Sequence, residues 1–188
     1  TLIDLAVGKA GDLQKWTDAK LKFVLGIDVS RDNLHNNRDG ACSRYLTQLR
    51  RESNVPRALF VAGDSRKNIL DGTALLSEKD LQIANAVFGV GPKDEKLLGK
   101  GVYKNYGVGR GGFDVTSIQF AIHYMFENTS SLLNFLQNVA EVTKKDGILI
   151  GTSFNGNKIF NLLKDKQVND SIEFQNEDKT ATILKITK

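Results

Sequence analysis

Very little in this 188-residue chain can staple it or hold a metal. Cys42 is its single cysteine, so no internal disulfide can form, and a reducing, intracellular setting is expected. With one cysteine and two histidines scattered along the chain, the common zinc ligand sets are out of reach. Proline occurs only twice, so regular structure is not interrupted by its missing N–H. No apolar run approaches the ~20 residues that cross a bilayer. The opening residues, TLIDLAV, lack the basic flank and cleavage site of a secretory signal. No membrane partner is expected. Thr1 opens directly on a strand pattern, which predicts a piece of a longer protein. The net charge of +4 tolerates a nucleic-acid partner without demanding one.

What is present suits a single α/β domain over 1–188, long enough to bury a core. Short apolar runs at 2–7, 22–27, 57–62, 113–118 and 147–152 alternate with helical patterns. That alternation predicts a mainly parallel sheet with helices on both faces. A helix over 31–51, capped by Ser30, would turn Leu34, Ala41, Tyr45 and Leu49 inward. Another over 130–144 carries Leu132, Phe135, Leu136, Val139 and Ala140 on one stripe, and Asp146-Gly147 then turns into the fifth strand. A last helix after Asn155 would bury Ile159, Phe160, Leu162 and Leu163. Residues 171–175 and 181–187 read as a C-terminal β-hairpin. Residues 66–112 form an insertion much longer than a crossover needs. Its first half holds a short helix with Ser77 and Asp80 in capping-box register and Leu81, Ala84 and Phe88 on one side. Its second half, 89–112, holds 8 of the 17 glycines and a net charge of +3.

The chemistry-bearing residues lie at the predicted strand ends. The first strand runs into DLAVGKAGDLQKW, residues 4–16, where Gly8 and Gly11 let a ligand approach bare backbone. This is not the dinucleotide pattern G-x-G-x-x-G, because Ala10 takes the middle position. Asp12, at the start of the next helix, would repel a pyrophosphate. A cationic nucleoside such as S-adenosylmethionine fits better, with Asp4 and Asp12 as acceptors. An ordinary strand-to-helix turn is the plainer alternative. Asp28 follows Gly8 by 20 residues and can accept both hydroxyls of a ribose, or cap the helix behind it. Asp64 and Ser65, in AGDS, reach the same edge; Asp64 can accept from an adenine amino group, or can be a turn aspartate. The fourth strand ends in SIQFAIHYMFEN, residues 117–128. There Gln119 meets the ligand crevice and His123, Tyr124 and Phe126 follow, while Phe120 and Ile122 read as core. Aromatic rings beside such a crevice can stack on a base and tolerate a positively charged one.

DLAVGKAGDLQKW, GID, GDS, SIQFAIHYMFEN and DGILIGTSFN, in this order, resemble the core of the eukaryotic and viral mRNA cap guanine-N7 methyltransferases. GKAGDLQKW and QFAIHYMFE are its most specific parts, and GPKDEKLLGKGVY with YGVGRGGFD is similar to the insertion in capping enzymes of large DNA viruses. The resemblance implies a Rossmann-like S-adenosylmethionine-dependent methyltransferase fold. It implies a cofactor pocket of Asp4, Gly8, Asp12, Asp28, Asp64, Ser65 and Gln119, with Asp28 on the ribose, Asp64 and Ser65 on the adenine side and Gln119 at the amino-acid end. It places Lys9 and Arg38 against cap phosphates and His123 and Tyr124 against the cap guanine, and it implies capped RNA as partner, beside other capping domains or a stimulatory subunit. A family member would work in the nucleus if cellular, and at a cytoplasmic replication site or in the virion if viral. Ala10 stands where the family has glycine, so its methyl is expected to narrow the pocket. The family's cofactor-contacting lysine would lie before Thr1; its guanine-reading glutamate and tyrosine, and its last strands, would lie after Lys188. The 89–112 loop, leaving the third strand at its C-terminal end, is expected to fold over the crevice and meet RNA phosphates; a solvated loop is the plainer reading.

Guanine N7 has a free lone pair and sheds no proton on methylation, so the reaction needs orientation and field but no base. The sequence offers no convincing base constellation, in keeping with that. Exocyclic-amine methylation would show Asn/Asp-Pro-Pro-aromatic where this chain has SIQF, and C5 methylation needs a crevice cysteine, which Cys42 is not. A methyltransferase for another RNA or small molecule, and a silent methyltransferase-fold subunit, remain open alternatives; a NAD-linked dehydrogenase is more distant.

Overall fold

Five strands form one parallel sheet in the order β3-β2-β1-β4-β5. They are β1 (Leu2–Asp4), β2 (Phe23–Asp28), β3 (Arg57–Ala62), β4 (Phe113–Gln119) and β5 (Thr143–Thr152). The computed structural model describes residues 1–188, which divide into two compact units, Thr1–Thr152 and Ser153–Lys188. In the first, every residue of β2 is buried, as a central parallel strand requires. Alternation along the strands then sorts the core into two halves. Ile3, Phe23, Leu25, Ile27, Val61 and Ile118 join Val87 of α4 (Glu78–Phe88) and Phe135 of α7 (Thr129–Val142). Leu2, Val24, Phe60 and Ala62 join Trp16 of α1 (Leu13–Asp18), Leu34 of α2 (Arg31–His35) and Ala41 of α3 (Ala41–Arg51). Helices therefore cover both faces, and β1 and β4, adjacent in the sheet but distant in sequence, form the switch point where such folds hold ligands.

Several boundaries differ from the sequence reading, each for a local reason. β1 ends at Asp4, because residues 5–8 already turn toward the glycine loop. The helix expected over 31–51 is two, split at Asn36–Gly40. The Asn36 side chain accepts the Arg38 N–H, and Gly40 lies so close to the Asn36 backbone that a Cβ would meet its nitrogen at 2.6 Å. Leu49, expected inside, is 44% exposed on α3. β5 starts at Thr143, but Asp146 has φ 64 and the register jumps between Phe113 and Val115, so regular pairing begins near Ile148.

The insertion departs most. After α4, whose N-cap Ser77 accepts the Asp80 N–H, it forms α5 (Glu95–Leu98) and α6 (Lys100–Tyr103) along that helix. It returns to the N-terminal edge of the sheet, where the Arg57 guanidinium donates to the Lys104 carbonyl and Gly107 and Gly109 donate to Ala86 and Val87. It does not fold over the crevice. A helix that follows a strand in this fold runs antiparallel to it, so its end delivers the chain to the opposite edge.

The second unit comprises α8 (Gly156–Leu163), capped by the Asn155 side chain, and an antiparallel hairpin of β6 (Ser171–Gln175) and β7 (Thr182–Thr187). Asn176 accepts from Thr180 and Ala181 to close the turn. The apolar residues of α8 are not buried as expected; Phe160 is 69% exposed.

Candidate functional site

The C-terminal tips of β1 to β4 meet around the loop that leaves β1. Leu5 and Val7 donate to Ser117 and Ile27, which fixes the loop between β4 and β2. Gly8 adopts φ 54, and a Cβ on it or on Gly11 would meet nothing within 4 Å, so both present open backbone. Asp28 binds this loop directly: one carboxylate oxygen accepts Gly8 N–H at 2.8 Å, the other accepts Ser30 N–H at 2.9 Å and the Asn33 amide at 3.1 Å. The sequence interval between Gly8 and Asp28 is thus a physical contact. The oxygen that accepts Gly8 N–H keeps one further lone pair, whereas the other already accepts two bonds.

Asp64 is held from one side by Arg66, whose guanidinium donates to both carboxylate oxygens at 2.9 and 3.0 Å and also pairs with Glu127. Burial pushes the Asp64 carboxyl up, but the hydrogen bonds and charge of Arg66 outweigh it and hold it below the usual range. Asp4 is the opposite case. It is buried beside Ser117, and desolvation, with the charges of Asp12 and Asp28 adding, raises it to about 7 despite the Ala6 N–H and Ser117 bonds that lower it.

Two hollows flank the β1 tip. One, of about 320 Å³, is lined by Asp28 and Asn33, by Asp64, Ser65 and Arg66, and by Tyr124. The other, of about 260 Å³, is largely apolar: Leu2, Leu21, Val115 and Ile148 wall it together with Asp12 and Trp16 on the α1 side and Ser117 and Gln119 of β4. Asp12 there pairs with Lys15 at 2.5 Å. Gln119 donates to the Ser117 hydroxyl and accepts from Thr152. Phe120 follows, exposed rather than in the core as expected, because its φ of 53, an uncommon backbone for a bulky residue, turns the chain out of the strand into the 3-10 segment Ile122–Phe126. That turn brings Tyr124, 60% exposed, to the first hollow. His123 packs on it with ring centroids 4.1 Å apart but lines neither hollow. Lys9 sits on the β1 loop paired with Asp39 at 2.6 Å, next in sequence to exposed Arg38.

Of the expected residues, Asp28, Asp64, Ser65 and Tyr124 line the first hollow and Asp12 and Gln119 the second, while Asp4, Gly8, Lys9, Arg38 and His123 line neither. Two details differ from expectation. Ser65 lines the first hollow, but its hydroxyl donates to the Leu5 carbonyl at 2.6 Å, tying the β3 tip to the β1 tip. The Ala10 methyl does not narrow the pocket: Ala10 is fully buried among Val7, Leu13 and Leu34, and its cost is a backbone at φ 54. Sequence reading missed Arg66, Asn33 and Asn138. The buried Asn138 side chain of α7 accepts Ile69 N–H and donates to the Ser65 and Lys67 carbonyls, pinning the loop that carries Asp64. A lone Asn within an amphipathic helix gives no hint of this in the sequence.

A parallel sheet of order β3-β2-β1-β4-β5 with helices on both faces is a Rossmann-like α/β fold. The same fold occurs in an S-adenosylmethionine-dependent methyltransferase from Clostridium acetobutylicum ATCC 824, with a TM-score of 0.53 at 14% identity, over 94% of this chain and 50% of that one. The sequence pattern of the mRNA (guanine-N(7))-methyltransferase domain matches residues 1–183, and the chain belongs to that family. It is 32% identical over 187 residues to a probable mRNA-capping enzyme of Acanthamoeba polyphaga mimivirus, covering 100% of this chain and 15% of that protein. It is 27% identical over 164 residues to the mRNA cap guanine-N(7) methyltransferase of Schizosaccharomyces pombe, covering 87% of this chain and 34% of the relative. The chain therefore spans between 15% and 34% of these relatives' length.

Proposed function

We propose that this chain binds S-adenosylmethionine across the two hollows and places its methyl group against N7 of the guanine cap of mRNA. The observation that carries the reading is the Asp28 carboxylate, locked to Gly8 N–H and Asn33 at the mouth of a hollow whose far wall is Asp64 and Tyr124. A nucleoside fits there with a ribose hydroxyl donating to the remaining lone pair of Asp28 and its exocyclic amine donating to Asp64. Its amino-acid arm reaches over Gly8 to Asp4, Asp12 and Gln119. Ser65 supports that wall through Leu5.

When bound, S-adenosylmethionine supplies a methyl carbon activated by its sulfonium. Transfer of that methyl to a guanine nitrogen would displace no proton, so the chain's residues would need to orient the two groups without supplying a base. The residues present suit that demand. Their work is orientation and electrostatics, with Tyr124 and His123 as an aromatic surface for a base that becomes cationic and Lys9 and Arg38 near the cap phosphates. Capped RNA is the partner this reading requires. The mimivirus relative, much longer than this chain, favours action inside the cell within a larger capping protein.

Calorimetric titration of the chain with S-adenosylmethionine and S-adenosylhomocysteine tests the cofactor half. Both should bind, and Asp28→Asn should weaken them at least tenfold, the ~1.5 kcal/mol or more of charge-assisted hydrogen bonds. A silent scaffold would bind neither. Methyl transfer to capped and uncapped RNA tests the other half; equal labelling would point to another acceptor.

A further inference from the structure

Charge is unevenly placed on the first unit. At the N-terminal edge of the sheet the connections, together with the helix ends and strand starts they join, cover residues 18–22, 50–57, 104–114 and 144–146. They contain nine basic and four acidic side chains, net +5, whereas the whole chain is only +4. The excess is thus concentrated on the edge away from the crevice. Parallel pairing makes this unavoidable once the residues are given: Lys22 precedes β2, Arg57 opens β3 opposite Phe23, and Lys144 and Lys145 lie where β5 begins beside β4. The insertion adds Lys104, held at this edge by Arg57, and Arg110, whose guanidinium donates to the Gly89 carbonyl. All of these side chains are exposed, and Lys22, Lys104 and Lys145 form no ion pair. Lys144 is the exception, paired with Asp114.

We infer that this edge is a second RNA-contacting surface, which holds the transcript body by its phosphates while the crevice holds its 5′ end. Five strands about 4.8 Å apart spread the cations over roughly 20 Å. That is a track for an extended polyanion rather than a pocket for one anionic group. The basic side chains there are exposed and spread across the strand starts, so recognition is by charge and independent of base sequence. A protein partner would use an apolar anchor as well, such as the sheet-face hollow walled by Leu2, Leu21 and Val115, and competition by polyglutamate separates that case from RNA. The six residues of β2 put about 20 Å between the two edges. Only an RNA many nucleotides long can occupy both, whereas a cap analogue occupies the crevice alone. The identity of the polyanion rests on the RNA reading proposed above; the charge track does not.

The test is binding of an uncapped, fluorescently labelled 30-nucleotide RNA across a salt series, without cofactor. The wild-type chain should bind with a steep salt dependence, and Lys22→Gln/Lys104→Gln/Lys145→Gln should lower the slope of log K against log salt by about two, near 0.7 for each lost single-strand phosphate contact. A control removing equal charge from the flank, Lys79→Gln/Lys93→Gln/Lys96→Gln, should leave the slope nearly unchanged. Equal loss in both variants, or no loss in the edge variant, overturns the inference. So does competition by polyglutamate as effective as that by unlabelled RNA, which would make the edge a protein-docking surface. Because neither cap nor cofactor is present, failure here leaves the crevice assignment untouched, and failure of cap methylation leaves this result standing.

Discussion

Asp4 combines deep burial with a carboxyl raised to about 7, and this has consequences for the protein without ligand. The folded chain holds the Asp4 proton more tightly than the unfolded chain, whose aspartate titrates near 3.9. Stability from this residue is therefore full below about pH 4, declines as pH rises, and levels off above about 7. The span is on the order of 4 kcal/mol at 1.36 kcal/mol per unit. Asp4→Asn should flatten that decline, so urea denaturation at pH 5 and pH 8 should show a smaller difference for the variant than for the parent. Ala10 makes a second prediction. Changing it to glycine relieves a left-handed backbone worth about 1–2 kcal/mol but removes a buried methyl worth about 0.8 kcal/mol and loosens the unfolded chain. Ala10→Gly should thus shift stability by less than about 1 kcal/mol and leave cofactor affinity unchanged, since the methyl faces the core. What could be read at this scale was the residue type at each strand tip. The partner of a side chain could not: Asp28 reads toward a ribose or the helix behind it, yet it accepts Gly8 N–H, and the Ser65 proton goes to Leu5, 60 residues away, which nothing local in GDS announces.

Among the elements, α7 does more than cover the sheet. Through Asn138 it satisfies three backbone groups of the segment after β3, including the N–H of buried Ile69. Asn138→Ala should cost about 2–3 kcal/mol, because it strands buried polar groups as well as removing bonds. Asn134→Ala, which loses one half-buried bond to the Arg66 carbonyl, should cost about 1 kcal/mol. The same denaturation experiment reads both. Strands were legible here because β-rich apolar runs between turn signals leave few options, and β3 came out as read, Arg57–Ala62. Helix continuity was less so. The apolar positions Leu34, Ala41 and Tyr45 run on at helical spacing through Asn36–Gly40, but local side-chain and glycine chemistry breaks the backbone there.

For the whole molecule, the pattern of alternating elements carried the fold, while the path of the insertion did not. Its glycines and lysines are visible in the sequence, but which edge it reaches depends on the antiparallel return of α4, a tertiary fact. The outcome separates two ends of one sheet: an acidic crevice around Asp4, Asp12, Asp28 and Asp64, and a basic edge around Lys22, Arg57 and Lys104. The most direct measurement of what the crevice does is amide NMR of the labelled chain titrated with S-adenosylhomocysteine. Resonances of Gly8, Asp28, Ser65 and Gln119 should move together and saturate at one dissociation constant, while those of Lys22, Lys104 and Lys145 stay in place. Saturable shifts confined to any other part of the sheet would contradict the assignment of this crevice to the cofactor.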